Sequence, residues 1–125
     1  MSDAAVPGAP LLVQVWSDYI CPFCHIARDR IAYLEREHNA QVQWLPFDQH
    51  PEYPEDGILR ASLVATYGQD AIDGVAALAA ESSMPHNPHP DVVPNSRKAL
   101  ELAEWSRGFG SDAHRRLHDA IMDAY

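Results

Sequence analysis

Apolar and polar positions along the chain change their period three times. Leu11-Leu12-Val13-Gln14-Val15-Trp16 is a short apolar run rich in β-formers, and it reads as a buried strand. Ser17-Asp18-Tyr19-Ile20 leaves it as a turn. Pro22 suits the first turn of a helix, where its missing N–H would have no partner anyway. Phe23, Ile26, Ala27, Ile31 and Leu34 then recur at three- and four-residue spacing, predicting an amphipathic helix to about His38 with Asn39 as its stop. Gln41-Val42-Gln43-Trp44-Leu45 alternates, as a strand with one buried face should, and Pro46 loosens its end. Strand, helix, strand over roughly 35 residues is a βαβ unit, whose strands should be parallel.

A polar stretch, His50 to Gly57, reads as a loop, and everything after it as helix. Leu59, Leu63, Val64 and Tyr67 form one face, ended by Gly68; Ile72, Val75, Ala76 and Ala79 form another. Ser82 to Pro94 carries Pro85, Pro88, Pro90 and Pro94 and is an irregular connector. Asn95 or Ser96 caps a helix with Ala99, Leu102 and Ala103 inward, stopped by Gly108; Ser111 caps a last helix carrying Leu117, Ala120 and Ile121. The expected organisation is a flexible arm over residues 1–10, a βαβ part over 11–50 and a helical part over 51–125. The class is α/β with an incomplete sheet. A parallel pair of strands is too small to stand alone, and the last helix is still apolar at Ile121, Ala124 and Tyr125. The expectation is therefore a truncated chain, or one that self-associates through its unfinished sheet edge.

Composition narrows the function classes. A chain of 125 residues with 46% apolar and 22% charged residues is one ordinary globular domain. Its net charge of −9 disfavours nucleic acid and anionic membrane surfaces, both of which are bound through Lys and Arg. No apolar run approaches the roughly 18 residues of a membrane span. The N-terminus has an early acid, Asp3, and no basic segment ahead of its apolar run, so the expected compartment is the cytoplasm.

Both cysteines of the chain sit in Cys21-Pro22-Phe23-Cys24, between a predicted strand and a predicted helix. At a helix N-terminus, free N–H groups and the macrodipole favour a thiolate, which makes Cys21 the expected exposed nucleophile. Cys24, one turn further in, is the expected shielded resolving thiol. Two core cysteines at chance spacing are the bland alternative. His25 completes a Cys-x-x-Cys-His string, which also occurs at c-type haem attachment sites, with Met84 or Met122 as a second ligand. In the redox reading, His25 lies four residues after Cys21 on one helix face, where its imidazolium would support the thiolate; a solvated surface histidine is the alternative. His114 and His118 have chelating spacing and His86 and His89 are close in sequence, but solvated histidines explain both pairs better than a metal site. Glu35/Glu37 and Glu101/Glu104 read as helix surface, and no phosphate loop or serine elbow is present.

The run Val15-Trp16-Ser17-Asp18 to Cys21-Pro22-Phe23-Cys24-His25 resembles the opening of DsbA-like thioredoxin-fold proteins, specifically their cytoplasmic FrnE-like branch. Trp44-Leu45-Pro46-Phe47 resembles that branch's second strand, Val93-Pro94-Asn95-Ser96 with Ala99 to Ala103 its helical insertion, and His114 to Tyr125 the helix that follows. The resemblance implies a thioredoxin fold interrupted by a helical domain, exchanging disulfides with protein or small-thiol substrates and using no cofactor beyond its cysteines. It makes Cys21 the nucleophile, Cys24 the resolving thiol and Pro22-Phe23 the dipeptide that tunes the potential. Phe23 stands where more oxidising members often carry His, so a less oxidising couple is expected. No proline follows residue 94, so the family's cis-proline loop and later strands have no counterpart here. Related hydroxychromene-carboxylate isomerases and kappa-class glutathione transferases offer a glutathione-binding alternative, but their nucleophile position is typically serine. A non-catalytic redox-sensing or binding role is the third reading.

Overall fold

β1 (Leu11–Ser17) and β2 (Ala40–Pro46) pair in parallel, in register from Leu11 opposite Ala40 to Ser17 opposite Pro46. Helix α1 (Pro22–Glu37) crosses between them, so the βαβ unit forms where the alternation placed it. The architecture comes from a computed structural model that describes residues 8–84, 87 and 89–125. The expected arm over residues 1–7, Pro85, His86 and Pro88 lie outside the described residues. Asn39, at φ 51°, turns the chain from α1 into β2 in the left-handed region that asparagine tolerates better than most residues.

One face of the strand pair carries Val13, Val15, Val42 and the buried Trp44; on the other, Gln14 Nε2 donates to Gln43 Oε1 at 2.9 Å. β1 is not the buried strand its composition suggests. Leu12 is 73% and Trp16 58% exposed, because among the described residues β1 has one strand neighbour.

The remainder is not wholly helical. β3 (Ile58–Leu59) pairs antiparallel with β4 (Val92–Val93), so Leu59 belongs to a strand rather than to a helix face. Gly57 makes that pairing possible: it sits at φ 84°, and a Cβ there would collide with the Val93 carbonyl oxygen. Helices α2 (Ala61–Tyr67) and α3 (Gln69–Glu81) follow, meeting at Gly68, and Ala79 is their one buried residue. Asp29 of α1 ties down the end of α3, accepting Ser82 Oγ at 2.7 Å and Ser83 Oγ at 2.6 Å.

One helix start and one helix face depart from expectation. At α4 (Arg97–Ser106) the two expected candidates share the cap: Ser96 holds the N-cap position without a side-chain bond, and Asn95 Oδ1 accepts the Arg97 N–H at 2.9 Å. Gly110 occupies the cap position of α5 (Ser111–Ala124), so Ser111 is already its first helical residue. Between the two helices runs a 3₁₀ turn, Arg107–Phe109, which contains Gly108. α4 buries Leu100, Ala103 and Ser106, while Leu102 points outward.

The core lies between α1 and the last two helices. Tyr19, Leu100, Ala103 and Met122 form its buried cluster, with Cys24, Ala99 and Ile121 packed against it. Arg115 fastens α5 to α1: both terminal nitrogens reach Glu35, at 2.8 and 2.9 Å, and Nε reaches Asp119 at 3.1 Å. The pair is about one-third exposed, so solvent screens it. Arg115→Met should lower the urea-unfolding free energy by roughly 1 kcal/mol, and Arg115→Lys should recover little of it, because an ammonium cannot span both Glu35 oxygens.

Candidate active site

The end of β1 and the start of α1 are held together by a tightly packed turn. Ser17, Asp18, Tyr19 and Ile20 are all buried, Asp18 to 1% exposure. The Asp18 carboxylate accepts the Gln49 N–H at 2.8 Å and the Ile20 N–H at 3.4 Å, anchoring the turn to the segment leaving β2. The Asp18 carbonyl accepts the Cys21 N–H at 3.3 Å. Cys21 therefore stands at the N-cap of α1 with extended backbone, φ −84° and ψ 114°, and Pro22 follows at the first helical position. The Cys21 carbonyl accepts the N–H of Cys24 at 3.1 Å and of His25 at 3.4 Å.

Both thiols are free, and their acidities are driven apart. The Cys21 thiol is lowered to about 6: the Cys24 thiol donates to its sulfur, the N–H groups of Cys24 and Phe23 add to this, and burial and the Asp18 carboxylate oppose it. Cys24 is pushed well above the ordinary thiol range by the same hydrogen bond, by burial and by the Cys21 and Asp18 charges. The acidity order matches a nucleophile followed by a resolving thiol. The exposure order does not: Cys21 is only 6% exposed, under the packed 17–20 turn, and Cys24 is half-buried against the Tyr19–Met122 cluster. In the reduced protein, thiolate absorbance should show one ionisation near pH 6. Cys24→Ala should move it upward by removing the donor, and Asp18→Asn should move it downward by removing the opposing charge.

His25 holds the turn. Its Nε2 donates to the Tyr19 carbonyl at 2.7 Å, and its ring lies 5.8 Å from that of Tyr125. The groups that lower Cys21 most are the Cys24 thiol and the backbone N–H groups of Cys24 and Phe23. Phe23, between the two cysteines, is 57% exposed and lies outside the core.

Behind the cysteines lies a buried polar array. Tyr19 Oη is hydrogen-bonded to His118 Nδ1 at 3.0 Å, and His118 stacks on Trp44 with ring centroids 4.6 Å apart. His114, read as solvated together with His118, is 5% exposed and His118 only 2%. Burial lowers both imidazoles, His118 to about 3, with the Arg107 charge adding to the effect at His114 and the His114 charge at His118. His114 Nε2 lies 3.1 Å from an Arg107 nitrogen and His118 Nδ1 is taken by Tyr19, so the pair does not present a chelating set. Among the described residues no group of three or more metal-ligating side chains converges. Met122, one of the two candidate second ligands of the haem reading, is core at 1% exposure. His89 packs near Tyr125 at 5.7 Å, and its sequence neighbour His86 lies outside the described residues.

Sequence reasoning found Cys21 and Cys24 but missed Asp18, Tyr19, Arg28 and His118 as their surroundings. The available signal was the stripe His114, His118, Met122 at four-residue spacing, which is the buried face of α5. Among the described residues no helix is long and apolar enough to cross a membrane.

The model of the DSBA-like thioredoxin domain family matches residues 12–124. A curated protein of Bacillus subtilis strain 168, the uncharacterized protein YwbO, is 33% identical over 39 residues. That stretch is 31% of this chain and 20% of the length of the relative.

Proposed function

Because this chain belongs to the DSBA-like thioredoxin domain family, we infer that it is a thiol–disulfide oxidoreductase working through Cys21 and Cys24. The observation that carries the reading is the placement of two free thiols one turn apart at the start of α1, with Cys21 at the N-cap, where the Cys24 thiol and backbone N–H groups lower it. The Cys21 thiolate attacks one sulfur of a substrate disulfide; a new S–S bond forms and the other substrate sulfur leaves as a thiolate. Cys24 then gives up its proton and attacks Cys21 Sγ, closing the Cys21–Cys24 disulfide and releasing the second substrate thiol. The substrate gains two electrons and the cysteine pair loses them, and the reverse sequence oxidises a dithiol. Pro22 and Phe23 set the geometry between the sulfurs, and His25 keeps the turn above Cys21 in place. We assign protein or low-molecular-weight thiols as the substrate class, the FrnE-like branch as the subgroup and the cytoplasm as the compartment.

A glutathione redox titration with thiol trapping and intact-mass readout tests this. A working exchange couple should have its two-electron midpoint between the thioredoxin-like and DsbA-like values, about −270 and −120 mV. A pair that never cycles with glutathione in that window is structural, and the oxidoreductase reading then fails.

A further inference from the structure

We propose that the cleft between α1, Trp44 and α5 binds a small zwitterionic carboxylate, an α-amino acid or a molecule ending in one. The cleft measures about 230 Å³ and is lined by Arg28, Trp44, Met84, Arg115, Asp119 and Asp123. It opens one helical turn below Cys24, since Arg28 follows Cys24 by four residues on α1.

The case rests on donors that the described residues leave without acceptors. Arg28 is 7% exposed, and its one acceptor is Asp123, which takes Nη1 at 2.7 Å. Its Nε and Nη2 are buried with no partner, and so is the indole Nε1 of Trp44. Buried donors in folded proteins are overwhelmingly paired, and a guanidinium left half-satisfied costs more than a neutral group. Nε and Nη2 form one edge of the planar guanidinium, the edge whose two parallel N–H bonds match the two oxygens of a carboxylate. Trp44 Nε1 offers a further donor from the facing strand.

Charge selects the rest of the ligand. The cleft is lined by two guanidinium groups and two carboxylates, and Glu35 already engages Arg115, so it is poorly suited to a dianion. Asp123 and Asp119 each pair with one arginine, Arg28 and Arg115, and their side chains stay 49% and 42% exposed, open to a further cation. A carboxylate on Arg28 with an ammonium toward Asp119 and Asp123 leaves the net charge unchanged and gives the unpartnered Arg28 donors an acceptor.

The test uses the full chain carrying Trp16→Phe and Trp105→Phe, both exposed positions, which leaves Trp44 as the single indole. Its N–H then gives one assigned signal in a nitrogen-15 correlation spectrum, followed during titration with L-alanine, propionate and inorganic phosphate on reduced protein. L-Alanine should shift it saturably in the millimolar range, and propionate, which lacks only the ammonium, should bind several-fold more weakly. Arg28→Lys, which keeps the charge and loses the fork, should weaken L-alanine about tenfold. No saturable shift, or propionate or phosphate binding as tightly as L-alanine, overturns the proposal. The three-ligand series decides the matter on its own if Arg28→Lys does not fold, and no outcome depends on disulfide exchange.

Discussion

Cys21→Ser should leave the chain folded and reduce disulfide exchange by at least ~10³-fold, to the rate of the free substrate thiols. The expectation follows from acidity. With its thiol lowered by the Cys24 hydrogen bond and the backbone N–H groups, Cys21 is mostly thiolate at neutral pH, where an ordinary free thiol is only a few per cent ionised. A serine hydroxyl stays protonated and forms no exchangeable bond to sulfur. Cys24→Ser should behave differently: the first attack survives, the second does not, and a mixed disulfide with substrate accumulates on Cys21. Intact-mass measurement after mixing with a disulfide substrate separates the two variants, one adding no substrate and the other a single thiol adduct. If Cys21→Ser kept wild-type exchange, or if the adduct formed on Cys24 instead, the assigned roles would be wrong. The second outcome is a real contest, because Cys24 is the more exposed of the two.

The βαβ unit was legible because its signals are local. Alternation over Gln41 to Leu45, Pro22 at the first helical position and Asn39 in the left-handed region each act within a few residues, and all three took their expected places. The site was legible to the same extent: Cys21 and Cys24 stand at the helix start that the sequence pattern assigns them. What escaped is set by distant contacts. Ile58–Leu59 pairs with Val92–Val93 across more than thirty residues, with no alternation to announce a two-residue strand. His114 and His118 lie on a helix crowded with Arg115, Arg116, Asp112 and Asp119, so composition says solvent; only the stack on Trp44 and the bond to Tyr19 put them inside. Arg28 is the same lesson on α1, a charge buried beneath the core residues that the periodicity did find.

That buried histidine also makes the fold sensitive to acid. His118 is 2% exposed and lowered to about 3, whereas the unfolded chain holds it near its ordinary value of 6.5. Between those two values the unfolded state binds a proton that the native state refuses, so stability is fully present above pH 6.5 and is lost as pH falls toward 3. A gap of that width corresponds to a loss on the order of 5 kcal/mol, comparable to the whole stability of a small domain. His114, shifted the same way, adds to it. Urea midpoints measured from pH 8 to pH 4 should therefore fall steeply below pH 6.5. His118→Phe keeps an aromatic ring against Trp44 and cannot be protonated, but it strips the Tyr19 hydroxyl of its partner. The variant should be less stable than wild type at pH 8, by roughly 1–3 kcal/mol, and its pH dependence should be flatter, so that the two curves converge or cross in acid. Parallel curves over that range would mean that His118 is protonated in the native state, and that its burial against Trp44 and Tyr19 does not control acid unfolding.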